Sequence, residues 1–105
     1  MNVFHDQYSL IKEPTAFWMV LRFIRGIPFR RQCWKENEFI AFQPAYPDGI
    51  KCNKNTANAW GIEEGSLFKC APYLQFQSSD GMHYMWTPST EDLFANDWVH
   101  VDLNN

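Results

Sequence analysis

The chain lacks almost every signature that would announce a reaction. Its 105 residues hold no G-x-G-x-x-G, no Walker loop, no H-E-x-x-H and no G-x-S-x-G. Its three cysteines, Cys33, Cys52 and Cys70, form no C-x-x-C, and His5, His83 and His100 lie far apart. That spacing supports neither a disulfide framework nor a zinc site, and no metal or cofactor is expected. Long apolar runs are missing too. The longest, Ala16–Leu21, falls far short of the roughly 20 residues that cross a bilayer. Met1–Leu10 carries His5, Asp6 and Gln7 where a signal peptide would be apolar. The expectation is a soluble protein of a reducing cytoplasm. Positive charge is not in excess either: nine basic residues face twelve acidic ones, for a net charge of −3. A protein that tracks a polynucleotide backbone presents a basic face, so neither DNA nor RNA is an expected partner. Repeats and low-complexity tracts are absent.

Aromatic residues, by contrast, are abundant. Five Trp, nine Phe and four Tyr make up 17% of the chain. A domain this size buries roughly 60–70% of its unfolded surface, and most of these rings are expected to fill that core. A surplus suits a site where a flat ring is sandwiched. Four of the nine basic residues, Arg22, Arg25, Arg30 and Arg31, fall within ten positions. A local cationic cluster on an acidic protein suits a compact anion such as a pyrophosphate. Arg22 and Arg25 read equally as the solvated face of a helix.

Periodicity predicts one domain over residues 14–105, preceded by an extension or edge strand over 1–13. Pro14-Thr15 opens a helix with Thr15 or the preceding turn as its cap. Phe17, Val20, Leu21 and Ile24 form its apolar face, and Gly26 stops it. Ile27–Trp34 and Glu38–Gln43 read as a hairpin. Pro44 to Gly65 reads as a long connection with turns at Pro47-Asp48-Gly49 and Trp60-Gly61, hiding a short helix over Thr56–Trp60. Leu67–Cys70 resumes a strand, and Tyr73–Gln77 with Met82–Trp86 flank the Asp80-Gly81 turn of a second hairpin. Ser89-Thr90-Glu91-Asp92 is a capping-box pattern that starts a short helix through Ala95. Trp98–Leu103 alternates as a closing strand. The sum is α+β: an N-terminal helix on a twisted antiparallel sheet of about five strands.

Chemistry is not visibly encoded. Ser89 is better explained as a helix cap than as a nucleophile, and Cys33 has no histidine close in sequence to activate it. Asp92 and Asp97 could form an acid pair, or serve as caps and ion-pair partners.

Two groups of residues carry a resemblance. Gly26, Arg31 and Trp34 match the G-x4-R-x2-W that follows the first helix in phage Thoeris anti-defence proteins of the second type. Gly65-Ser66 and Pro72-Tyr73-Leu74 are similar to that family's central motif. Gly81, Trp86, Ser89, Asp92, Leu93, Ala95, Asp97 and Trp98 fit its C-terminal signature without a gap, so that the likeness spans about residues 15–102. The family consists of small viral sponges that sequester cyclic nucleotide immune signals: cyclic ADP-ribose isomers and, for some members, cyclic oligonucleotides. Its pockets lie between protomers of a homotetramer. The resemblance therefore implies a non-enzymatic homo-oligomer acting in the host cytoplasm. It implies that Trp34 stacks on a base, while Arg31 either meets phosphate or buttresses the pocket. It brings the Trp86–Asp92 segment near the ligand, with Thr87, Ser89 and Asp92 as polar contacts beside Trp86. Arg30 is a further cation at the site, and either Phe17 or Trp18 faces the ligand. Two rival readings stand beside it: a phosphodiesterase using Asp92, Asp97 and His83 or His100, and a virion or protein-interaction component.

Overall fold

A computed structural model describes residues 13–103, so the expected extension before residue 13 lies outside the described residues. The chain divides into two compact units, residues 1–43 with 74–105, and residues 44–73.

The larger unit is built on helix α1 (Phe17–Phe23). Phe17, Val20, Phe23 and Ile24 are buried, and Trp18, Leu21 and Arg22 share the opposite face. Leu21 was expected inside. It sits on the Trp18 side of the stripe, and a helix of two turns fills its inner face with Phe23 instead. The cap also differs from expectation. Ala16 occupies the N-cap without a side-chain bond, because Thr15 is engaged in a bridge to Trp98, N to O 2.8 Å and 3.1 Å in return. Gly26 does not adopt the left-handed conformation of a helix-stop glycine. The amides of Gly26 and Ile27 both donate to the Phe23 carbonyl, and Pro28 follows, where its ring cannot continue a helix.

Three short strands succeed one another around this helix: β1 (Phe29–Arg31), β2 (Phe39–Gln43) and, at the chain's end, β7 (Trp98–His100). Between β2 and β7 come β5 (Tyr73–Gln77), β6 (His83–Trp86) and a second helix, Thr90–Phe94. The five strands form one sheet in the order β6-β5-β2-β1-β7. Phe29 pairs with Ile40 across β1 and β2, and Arg31 with Trp98 across β1 and β7. Paired residues share a face. Phe29, Ile40 and Trp98 are fully buried with Val20 of α1, which makes this face the core. β1 and β7 are shorter than the Ile27–Trp34 and Trp98–Leu103 of the sequence reading. Gln32 onward turns toward β2, with the Trp34 amide donating to the Arg31 carbonyl at 3.0 Å. Past His100, Val101 N donates to Pro28 O at 2.8 Å.

The smaller unit pairs β3 (Tyr46–Lys51) with β4 (Leu67–Cys70), antiparallel, and carries helix α2 (Lys54–Trp60) between them. Strand β3 was read from sequence as loop, because Pro47-Asp48-Gly49 spells a turn. Here the register shifts between Tyr46 and Ile50, so those residues form a bulge within a strand. Gly49 is required there: its φ is +96°, and a Cβ would lie 2.8 Å from the Leu67 Cβ. Asn53 caps α2 by accepting from the Thr56 amide, and Gly61 closes it at φ +67°. With the Thr90–Phe94 helix named α3, the elements are complete, and the α+β architecture with its antiparallel sheet agrees with the sequence reading.

Candidate functional site

Arg31 is a buried polar hub of the larger unit. Strand β1 turns it to the core side with Phe29, and it is only 8% exposed. A buried guanidinium demands partners. Nε donates to Asp97 Oδ1 at 2.5 Å, Nη1 to Asp92 Oδ1 at 3.1 Å, and Nη2 lies 3.8 Å from Glu91. Its carbon also sits 5.9 Å from the centre of the Trp98 ring. The hydrogen bond to Asp97 raises the Arg31 pKa above its already high ordinary value, against the opposing pull of burial. Asp92 and Asp97 thus converge on one cation, the cap and ion-pair alternative rather than an acid pair.

Asp92 has a second duty. Its Oδ2 accepts from the Ser89 amide at 2.9 Å, while Ser89 Oγ accepts from the Asp92 amide at 3.1 Å. This is the capping box the sequence spelled, and it starts α3. The Asp92 carbonyl then accepts from Trp98 Nε1 at 3.0 Å. Arg31, Ser89, Asp92, Asp97 and Trp98 are therefore one framework fixing residues 89–98 against β1.

Above this framework lie three indoles. Trp34 stands 5.2 Å from Trp98, 6.2 Å from Trp86 and 5.3 Å from Phe76, all near perpendicular at 79–83°. Trp86 meets Trp98 at 6.0 Å and 81°, and Phe17 joins both at a tilt. Edge-to-face contact is how aromatic rings pack against one another. A base held between two rings needs them parallel and set apart, and no pair here is parallel. Trp34 itself is carried by the β1–β2 turn rather than by a strand, with Arg30 Nη1 donating to its carbonyl and to that of Arg31, each at 3.1 Å.

The predicted ligand residues thus fall into three groups. Phe17, Trp34 and Trp86 come together in the aromatic cluster, and Arg31, Ser89 and Asp92 in the framework beneath it, with Arg30 bracing the turn. Thr87 is exposed just beyond β6. Trp18 stands apart at 64% exposure on the outer face of α1. Arg22 lies one helical turn along that face, and α1 lies beside α3, whose Phe94 is 79% exposed. Phe94 was not singled out from sequence. A phenylalanine at the end of a five-residue helix, one place after Leu93, carries no periodic signal that separates exposed from buried.

A cavity of about 460 Å³ opens elsewhere, lined by Gly26, Ile27, Pro28 and His100 to Leu103, and no predicted ligand residue lines it. His83 Nε2 lies 3.1 Å from Gln77 Oε1 on the other side of the sheet. Among the described residues no three His, Cys, Asp or Glu side chains are grouped to hold a metal ion. No helix among them is long and apolar enough to cross a membrane.

The framework and the aromatic cluster together carry residues of both sequence signatures: Arg31 and Trp34 from the first, Trp86, Ser89, Asp92, Asp97 and Trp98 from the second. Comparison with known families matches residues 17–101 to the Thoeris anti-defense 2-like domain, Tad2-like. The chain belongs to that family. The match begins at the first residue of α1 and runs just past β7, so it spans the described fold with both units. No curated protein matches the chain. Membership makes anti-defence against Thoeris the role of this Tad2-like chain.

Proposed function

We propose that this Tad2-like protein disarms its host's defence by sequestering a cyclic nucleotide signal, a cyclic ADP-ribose isomer or a cyclic oligonucleotide, without cleaving it. It does so in the host cytoplasm and needs no cofactor. The observation that carries the reading is an exposed indole beside a cation on the outer face of α1, in a chain of this family. Trp18 offers a ring face to a base, and Arg22, four residues on, a guanidinium to a phosphate. Between the two neighbouring rings, this favours Trp18 over Phe17, which is buried.

Arg31 takes the buttressing role in this scheme. Its donors already face Asp92, Asp97 and Glu91, so a phosphate would have to displace a carboxylate. The indoles at positions 34, 86 and 98 back α1 from its inner face, where Trp86 and Trp98 meet Phe17. Stacking on one ring is worth about 1–3 kcal/mol. Nanomolar capture needs about 12 kcal/mol, so several such contacts must be held ready in advance. A framework of buried ion pairs and interlocked rings supplies that readiness. Sequestration requires no bond to break.

The test is calorimetry of the full chain against cyclic ADP-ribose isomers and cyclic dinucleotides, with the recovered ligand analysed after heat release. Tight binding and intact ligand are expected; a hydrolysed product or no heat with any of them would overturn the proposal. Trp18→Ala should weaken binding about 10- to 100-fold, as loss of one stack predicts, with an unchanged melting temperature.

A further inference from the structure

No residue of the ligand reading lines the cavity of about 460 Å³, yet its size is that of a small-molecule pocket. One wall is Gly26, Ile27 and Pro28, just past the end of α1; the other is His100, Val101, Asp102 and Leu103, the tail of β7. Val101 N donates to Pro28 O at 2.8 Å and ties the two walls together. The first wall is rich in carbonyl oxygen for a local reason. The Gly26 and Ile27 amides both donate to the Phe23 carbonyl, and Pro28 has no N–H for the carbonyl of Ile24, four residues earlier. Carbonyls at the end of a helix point along its axis and carry partial negative charge, here toward Gly26 to Pro28. The second wall adds a full charge. Asp102 is a carboxylate, and neither lysine nor arginine occurs among the described lining residues. Arg25, next in sequence to Gly26, has its guanidinium 5.2 Å from the centre of the Phe42 ring on β2.

Such a cavity disfavours an anion and suits a cation with an apolar body. We propose that it binds a linear polyamine. One ammonium meets Asp102 in a charge-assisted hydrogen bond, and a second, a few methylenes away, meets the carbonyls at the end of α1. Ile27, Pro28, Val101 and Leu103 supply apolar surface for the methylenes between them. His100 in its neutral form offers a ring nitrogen as a further acceptor. A carboxylate accepts from several donors, so the other contacts of Asp102 leave it able to take an amine. A bare metal ion fits less well. It needs several oxygen ligands converging on one point, and no three His, Cys, Asp or Glu side chains are so grouped among the described residues. The inference is independent of the ligand reading, with which it shares no residue.

The decisive measurement is calorimetry of the full chain with spermidine at physiological salt, beside methylamine and magnesium chloride. Saturable binding of spermidine is expected, with amide shifts in nuclear magnetic resonance centred on Gly26, Ile27 and Val101. Methylamine, one ammonium without a stem, should bind about tenfold or more weakly, and magnesium at equal ionic strength should not displace spermidine. Asp102 is exposed, so Asp102→Asn keeps the shape and the fold while removing the charge, and should weaken spermidine about tenfold or more. Leu103→Lys keeps the carboxylate, sets a rival ammonium on the same wall and should weaken it as well. Glu64→Gln, an exposed carboxylate lost from the smaller unit, should change nothing. A chain that gives no heat with spermidine would overturn the proposal. So would displacement by magnesium, shifts centred elsewhere, a folded Asp102→Asn or Leu103→Lys that binds like wild type, or an equal loss in Glu64→Gln.

Discussion

Arg31 shows how one buried charge organises its surroundings. Removing it leaves the partly buried Asp92 and Asp97 carboxylates without their cation, and breaking a fully buried pair in this way costs about 3–5 kcal/mol. Because these carboxylates keep some contact with water, Arg31→Met should lower the unfolding free energy by less than that amount, measured by urea titration, and should loosen residues 89–98 first in hydrogen exchange. The pKa of Arg31 is raised, so the guanidinium is charged and its contribution present at neutral pH, and its own titration removes that contribution only as pH rises through the folded value. Asp80 behaves in the opposite sense. The Ser78 hydroxyl, and then the Met82 amide, hold its carboxyl below the ordinary value of 3.8. A depressed pKa means support present above the ordinary value and lost as pH falls through the folded one. Asp80→Ala should weaken the β5–β6 hairpin at neutral pH, and the difference from wild type should vanish in strong acid, followed by amide exchange at Gly81. At this scale the sequence was legible for Arg31, whose spacing from Trp34 marked it as special, but not for its partners' geometry. Nor could neighbouring rings at 17 and 18 be told apart. They point about 100° apart on a helix, and only the packed fold says which side is wet.

Elements were readable wherever their signal was local. The capping box at Ser89 and Asp92 needs only four residues, and it stands as spelled. Ser89→Ala should cost about 1 kcal/mol, detectable as a lower melting temperature. The Asp80-Gly81 hairpin was local as well. Strand β3 was hidden because its punctuation, Pro47-Asp48-Gly49, belongs to a bulge whose partner lies eighteen residues away at Leu67. The glycines separate two kinds of constraint. Gly49 combines a positive φ with a neighbour 2.8 Å from any Cβ, whereas Gly61 has a positive φ and open space. Gly49→Ala should cost clearly more than Gly61→Ala, the latter about 1 kcal/mol, in denaturant midpoints.

For the whole molecule, the fold class was legible and the strand order was not. The pairing of β5 with β2 joins segments separated by the entire smaller unit, and no local pattern encodes it. The same holds for the indole cluster, which draws Trp34, Trp86 and Trp98 from three separate stretches of chain. The resemblance implied that Trp34 stacks on a base with Trp86 nearby; the edge-to-face geometry shows these rings and Trp98 packed on one another. The outer side of α1 and α3, with Trp18, Leu93 and Phe94 exposed, is a surface visible only after folding.

The bridge between Thr15 and Trp98 sets the start of the described fold beside its final strand, two hydrogen bonds apart. Such proximity makes the linear order of the polypeptide negotiable. A circularly permuted chain, its old ends joined by a short flexible linker and new ones cut at the exposed Ser79-Asp80 tip, should fold to the same structure and give the same near-ultraviolet spectrum.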